Sequence, residues 1–412
     1  MRGFRIGRVF GIDVRIDWSW VFVVLLLTWN LEVVFSRWHP DWSAPGQLGV
    51  ALAGVLIFWG CILLHELAHA FVAKRNGVAV HGITLFLFGG VSNIEHDPRS
   101  AGVELAMALA GPLVSIVLGV AFLLLGSATV GPVLVTGTGE DEWTALASVG
   151  PLATLLIWLG PVNLFIGLFN LIPAFPLDGG RIFRALIWAV NHDYEAATKT
   201  ASVVGQAIGW AFIVAGIAMT FGARLPVLGT GLVGGLWIAF IGWFVRSAAL
   251  AAYARLALDE ALAGHSVQEL LRPGVAVVGP EVSLAELVQD FFVRSDVHGV
   301  PVVQGGTLVG LVSVSEVRAV PAADWPRLRV GDVMRPRDAV VVVGPHDSLS
   351  EAYERMVRED IEQMPVLEAE RLAGMLRRRD VARWLELAWK PSSSDHRRGG
   401  TAPPFTPRAA GT

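Results

Sequence analysis

Leu64-His65-Glu66-Leu67-Ala68-His69 lies inside an apolar run that extends from Leu48 to Val72. On a helix the two histidines stand one turn apart on one face, so both imidazoles can hold a single zinc ion while Glu66 points at a water on that metal. Polar groups are costly in such a setting, because a buried, unpaired carboxylate loses its hydration without a compensating partner. Ionisable residues inside a membrane span therefore read first as a functional site. The plainer alternative is a chance match in which His65, Glu66 and His69 cap a helix end near the membrane surface. Cys61 lies one turn before His65 on the same face, but packing between helices is the commoner use of a buried cysteine.

Composition sets the surroundings of this stretch. The chain has 412 residues, 53% of them hydrophobic and 17% charged, where soluble domains carry about 25% charged residues. Much of it must lie in lipid. A net charge of −4 gives no ground for a nucleic-acid partner. The single cysteine excludes an internal disulfide framework and a cysteine-rich zinc site. Near Tyr253 long apolar runs give way to ordinary charge density and runs of strand length. This predicts a membrane domain over 1–250, a linker over 251–264, a soluble domain over 265–388 and a disordered tail over 389–412, rich in Ser, Pro, Gly and Arg from Pro391 onward.

Crossing a bilayer takes about 20 apolar residues. Six runs qualify: Trp18 to Phe35, Leu48 to Val72, Val103 to Leu125, Leu146 to Leu171, Val203 to Phe221 and Val227 to Leu250. The segment Met1 to Asp17 alternates Arg2, Arg5, Arg8 and Arg15 with apolar residues and reads as one short interfacial strand. No small-residue cleavage site follows it, so the first run is expected to be a retained span. Basic residues gather on one side of an even-span topology: the N-terminal segment, Lys74, Arg75 and Arg99, then Arg181, Arg184 and Lys199, then Arg246 and Arg255. The opposite loops hold only Arg37 and Arg224, and Gly139-Glu140-Asp141-Glu142 has no basic residue. By the positive-inside rule both termini and the soluble domain face the cytoplasm of a multi-pass cell-membrane protein. Gly231 and Gly235 have the spacing of a close helix contact, within or between chains.

Between the second and third runs, Val78 to Ile94 is β-branched and aromatic and is broken by Gly89-Gly90, which fits a β-hairpin associated with the membrane. Its open edges must lie against protein or a wet cavity, and beside a metal site an open edge can add an extended peptide as a further strand. The alternative is a short buried loop.

A catalytic zinc takes a third protein ligand and leaves one position for water. After the fourth run the chain reads Asn170-Leu171-Ile172-Pro173-Ala174-Phe175-Pro176-Leu177-Asp178-Gly179-Gly180-Arg181. Two prolines end the helix at membrane depth, which only a protein-lined cavity accommodates, and Asp178 sits in a glycine-permitted turn where its carboxylate can face inward. The Asn170 amide can polarise a substrate carbonyl or hold an oxyanion. Against this, Asp178 can simply cap the next helix, and Glu95, His96 and Asp97 after the hairpin are rival ligands.

Taken together, His65-Glu66-Leu67-Ala68-His69 on an early span, Phe88-Gly89-Gly90 in the hairpin, Ala110-Gly111-Pro112 in the third span and the stretch from Asn170 to Arg181 resemble the site-2 protease family of intramembrane zinc metalloproteases. The resemblance covers the membrane domain. It implies His65, His69 and Asp178 as zinc ligands, Glu66 as general base, Asn170 as a substrate-positioning residue, and a transmembrane segment of another protein as substrate. The competing class is a non-catalytic transporter or channel whose histidines and acids serve ion passage. Transporters tend to show symmetry between halves, and this sequence shows none.

The soluble half repeats itself at an offset of about 64 residues, over roughly 266–320 and 329–385: Leu271-Arg272-Pro273 matches Met334-Arg335-Pro336, Gly299 to Val303 matches Gln363 to Leu367, and Gly310 matches Gly374. Each unit reads strand, helix, two short strands, helix. The pair resembles a tandem CBS domain of α/β fold, a family whose clefts take adenine nucleotides or related adenosyl ligands, or which serves as a structural or dimerising module. The family's ribose and phosphate signature is Ser or Thr followed three residues later by Asp. Here the first unit has Ser313 with Glu316 and the second has Arg377 with Asp380. The whole is then a polytopic α-helical membrane protein carrying a cytoplasmic CBS pair, with one zinc per chain, an adenosyl ligand at the pair, and a homodimer contact through the CBS domains.

Overall fold

The computed structural model describes residues 3–86, 89–94, 98–130, 147–225, 230–294 and 297–388, and the chain divides into two compact units, Met1–Leu256 and Ala257–Thr412. In the first unit the apolar runs are helices: α1 Trp18–Trp38, α2 Ala44–Arg75, α3 Ala101–Val130, α4 Pro151–Asn170, the shorter α5 Asp178–Asn191, α6 Tyr194–Thr220 and α7 Leu232–Leu262. Six of these, all but α5, are long and apolar enough to cross a membrane. Their starts follow from local chemistry. The Asp17 carboxylate accepts from Ser19 N at 2.9 Å to cap α1, Asp193 accepts from Ala196 N to cap α6, and proline opens α2 and α4, where a missing N–H costs nothing.

Most helices run past the expected apolar stretches at one or both ends, and α6 starts at Tyr194, nine residues before Val203. The fourth helix is described from Pro151, with Gly150 as its N-cap, and Leu146, the expected start of the fourth run, lies outside the described residues. The sixth span runs on through the expected linker to Leu262, because Ala251 to Leu262 is rich in Ala and Leu and so keeps helical propensity after charges return.

Small residues bring α3 and α4 together. A Cβ on Gly119 would stand 2.7 Å from the Leu164 backbone nitrogen and 2.9 Å from the Gly160 carbonyl, while Gly167 faces Ile116 and the Pro112 carbonyl. Such approach lets dispersion contacts replace a hydrophobic drive that lipid does not supply. Gly235 meets Gly216 and Thr220 of α6 in the same way, so its close contact is within the chain.

The N-terminal segment is two strands and not one. Phe10 and Gly11 take positive φ values of 50° and 77°, which turns β1 Gly3–Val9 back on β2 Ile12–Asp17. With β3 Val80–Phe86 and β4 Gly89–Ile94 they form one sheet in the order β1-β2-β3-β4, in which β2 and β3 run parallel. The expected hairpin is therefore half of a larger sheet, with β4 at its edge. Ile12, Val14, Ile16, Ile83 and Leu85 on one face are buried, and Ile12, Ile16, Ile83 and Leu85 join Phe35, Val55, Trp59 and Ala70 of the helices in one core.

The second unit contains the repeat as two cores on one sheet, ordered β5 Gly299–Gln304, β6 Thr307–Ser313, β9 Arg371–Arg377 and β8 Gln363–Glu368, with the short β7 Arg335–Pro336 on β6. Equivalent bridges recur in both repeats: Val278 with Val302 and Val343 with Val366. Others cross between them, as Ser266 does to Ser348 and Arg272 to Met375. Each repeat thus completes the other.

Gly119→Leu would force α3 and α4 apart, an overpacking that costs about 1–3 kcal/mol. The thermal midpoint of the detergent-solubilised protein should fall by several degrees, and an unchanged midpoint would show that this approach is not needed.

Candidate metal centre

Two turns of α2 deliver His65 and His69 to the interior, each 5% exposed. The third side chain arrives by a different route. After Asn170 ends α4, the loop folds back so tightly that a Cβ on Gly180 would stand 2.6 Å from Phe175 N, and one on Gly179 would overlap the backbone of Leu171 and Ile172. Only two glycines at the head of α5 allow that approach. Their neighbour Asp178 is thereby set against α2.

His65 Nε2 and His69 Nε2 are 3.1 Å apart, and Asp178 Oδ2 lies 3.2 Å from the first and 3.1 Å from the second. Bonds of about 2.0–2.1 Å at a tetrahedral angle would set ligand atoms roughly 3.3 Å apart, so the triangle matches three corners of a zinc tetrahedron. These are the residues that the described part of the chain gathers as a metal-binding group. Their outer atoms are held too. His69 Nδ1 meets the Met107 carbonyl at 2.7 Å and His65 Nδ1 meets Ser115 Oγ at 2.9 Å. A carbonyl only accepts, so His69 keeps its proton on Nδ1 and presents the Nε2 lone pair inward.

Both partners lie on α3, and between them in sequence is Gly111. A Cβ there would overlap His69 Nε2 and stand 2.6 Å from His65 Nε2. The absence of a side chain at Gly111 leaves the room that an ion and its open position require. Glu66 is half-buried beside the edge strand: a Cβ on Gly90 would overlap its Cγ and lie 3.3 Å from Oε1. Inward lone pairs, a carboxylate, a fixed outer shell and a clear fourth direction fit zinc of the catalytic type.

The other residues singled out in the sequence fare differently. Asn170 is half-buried at the last position of α4, and among the described residues it makes no hydrogen bond to the three ligands. Glu95, His96 and Asp97 lie outside the described residues. Cys61 is buried and is not a member of the metal-binding group. Ser115 and Met107 carry no distinguishing signal in the sequence beyond falling in the third apolar run, and Gly111 stands out there only within Ala110-Gly111-Pro112, which assigns it no role. Arg184, expected as a loop cation, is instead buried in α5, where its guanidinium donates to Glu104 Oε1. The reason is that Glu104, set among apolar neighbours, needs a cation.

In the second unit, Ser313 and Glu316 form a capping box on the helix Val314–Arg318, and Glu316 Oε1 accepts from Arg335 Nε at 2.9 Å. Burial works to raise the Glu316 carboxyl, but hydrogen bonds from Ser313 and the charge of Arg335 hold it below the ordinary value. Asp380 accepts two bonds from Arg272, at 2.9 and 3.0 Å. Arg377 lines a cleft of about 40 Å³ with His298, Glu362, Gln363 and Arg379, and Arg377 Nε and Gln363 Nε2 lack partners among the described residues.

Both units are similar to known proteins. The model of peptidase family M50 matches residues 53–216, and the CBS domain model matches residues 267–322 and 330–387. A Mycobacterium tuberculosis protein named zinc metalloprotease Rip3 is 30% identical over 384 residues, covering 93% of this chain and 92% of that relative. A Synechocystis protein that also carries a zinc metalloprotease name is 26% identical over 385 residues, covering 93% of this chain and 95% of its own. Among solved structures, a site-2 protease from Methanocaldococcus jannaschii aligns with a TM-score of 0.37 at 24% identity, covering 61% of this chain and 95% of that one.

Gly111→Ala should abolish tight zinc binding, because the added methyl group would press on both imidazole Nε2 atoms where an ion held by them would stand. Elemental analysis of the purified protein checks this. One equivalent of zinc in that variant would contradict it.

Proposed function

The chain belongs to peptidase family M50, and from that premise we propose that His65, His69 and Asp178 hold its zinc, that Glu66 moves the protons of peptide hydrolysis, and that Asn170 positions the substrate. The protein is an intramembrane zinc metalloendopeptidase with a tandem CBS domain. Relatives named as zinc metalloproteases align with nearly the whole chain, which leaves the transporter or channel reading without support.

What carries the residue assignment is the triangle of donor atoms at 3.1–3.2 Å, open on the Gly111 side and flanked by Glu66. When bound, zinc supplies a Lewis acid that polarises a carbonyl and brings a water toward ionisation at neutral pH. The Glu66 carboxylate takes the water's proton and returns it to the leaving nitrogen. The Asn170 amide donates to the substrate carbonyl as charge builds there. The substrate is a transmembrane segment of another protein, and its helix must unwind before a peptide bond can be reached. Strand β4 suits the unwound form: it is an edge strand, it passes Glu66 at Gly90, and it can take an extended segment by strand addition. On this reading the β3–β4 hairpin lies within the membrane against the helices.

The distribution of Lys and Arg supports cytoplasmic termini and a cytoplasmic CBS pair. A cysteine introduced at the exposed Glu370 should resist membrane-impermeant reagents in intact cells. An adenine nucleotide at the pair, through Arg377 and Asp380 of the second repeat and Ser313 and Glu316 of the first, is the reading that the CBS family match suggests, with the unpartnered Arg377 Nε as the donor to its phosphate. Titration calorimetry with AMP should give heat of binding that Arg377→Ala reduces. A homodimer through the CBS domains is the further expectation, and light scattering of the full chain in detergent reads it.

Glu66→Gln should retain one zinc per chain and lose cleavage of a reconstituted transmembrane substrate by at least about 100-fold, the range for a lost general base. Full activity in that variant would remove Glu66 from the chemistry.

A further inference from the structure

We propose that Glu104 and Arg184 form a positioning pair that sets where the Asp178 carboxylate stands, an inference that rests on Asp178 as a zinc ligand. Glu104, in the first turn of α3, has no exposed surface, and Arg184 on α5 is 9% exposed. Arg184 Nε donates to Glu104 Oε1 at 2.9 Å, its Nη2 donates to the same oxygen, and Arg181 Nε stands 3.9 Å away. The rings of Phe175 and Tyr194 flank the guanidinium at 5.4 and 4.7 Å. The group is thus held on its edge by charge and on its faces by aromatic surface.

Taking two such charges out of water is costly, and an apolar pair of similar volume often holds helices as well. What the ion pair adds is direction. Glu104, Met107, Gly111 and Ser115 succeed one another at spacings of three and four along α3, so they share one face. Met107 and Ser115 on that face fix the two imidazoles, and Gly111 clears space for the ion. Asp178, Arg181 and Arg184 likewise follow one another a turn apart on α5. One end of α5 therefore presents the carboxylate while its next turns are bonded to the helix that aligns the histidines.

Asp178 and Arg184 are about 9 Å apart along a single rigid helix. Backbone contact at Gly179 and Gly180 holds the head of the helix against its loop, the Glu104 contact fixes the turns that follow, and metal bonds tolerate displacements of only about 0.2 Å.

The test uses the full chain in detergent. The double variant Glu104→Met with Arg184→Met exchanges the charges for apolar volume, a change that often leaves stability intact. Its metal-free thermal midpoint should stay within a few degrees of wild type. Its zinc affinity, read by chelator competition, should fall about 10- to 100-fold, as when outer supports of a ligand are lost, and the visible spectrum of its cobalt(II) form should change. A folded double variant with wild-type affinity and spectrum overturns the proposal. If the double variant does not fold, Arg184→Lys replaces it: the charge stays but the fork is lost, several-fold weaker zinc binding is expected, and unchanged binding overturns the proposal. Asp178→Ala runs alongside. Should that variant keep tight zinc, the ligand reading itself fails, whereas zinc lost there but kept in the double variant refutes the pair alone.

Discussion

Two imidazole nitrogens and a carboxylate oxygen converge within 3.2 Å of one another in the interior of an apolar helical unit. In a medium that solvates charge poorly, such a group is stable only around a cation. The rest of the membrane unit can be understood as meeting that requirement. Met107 and Ser115 orient the rings, the loop from Asn170 to Asp178 brings the acid, and Arg184 gives Glu104 its own partner so that Asp178 is left to face the two histidines. Each of these contacts lies between helices, so the centre and the helix packing are one problem.

Glycine solves much of that problem. Gly111 empties the fourth direction, Gly179 and Gly180 let α5 start against its own loop, Gly90 lets the edge strand pass Glu66, and Gly119 closes α3 on α4. In each case a single methyl group would collide with backbone or with a functional side chain. The sheet follows the same logic from outside. Its buried face packs on the helices that carry the histidines, and its free edge ends up beside the Glu66 carboxylate.

The sequence is readable where one residue type does one job. The pair His65 and His69 at helical spacing, the prolines and glycines around Asp178, and the repeat at about 64 residues all carry a local signature. The matching family relationships agree with the fold and activity so inferred. Less legible are contacts made by groups that any sequence contains. The Met107 carbonyl is backbone, Ser115 is a common residue in membrane helices, and Gly111 matters only for what it lacks. The N-terminal turn escapes a reading by residue type because Phe10 adopts positive φ without being glycine. Arg184 does so because charge counting assigns a cation to a loop, while its partner Glu104 lies 80 residues away in sequence. The helix through 251–262 is hidden by returning charge, which suggests a boundary although the Ala and Leu content still favours helix.

X-ray absorption at the zinc edge of the purified full chain tests the centre most directly. The arrangement described here predicts two nitrogen neighbours with the multiple-scattering pattern of imidazole at about 2.0–2.1 Å, one carboxylate oxygen at about 2.0–2.2 Å, and a further light atom. Loss of one imidazole in His65→Ala should accompany loss of the metal. A sulfur neighbour at about 2.3 Å, which would implicate Cys61, or an all-oxygen shell without imidazole scattering, would contradict the account.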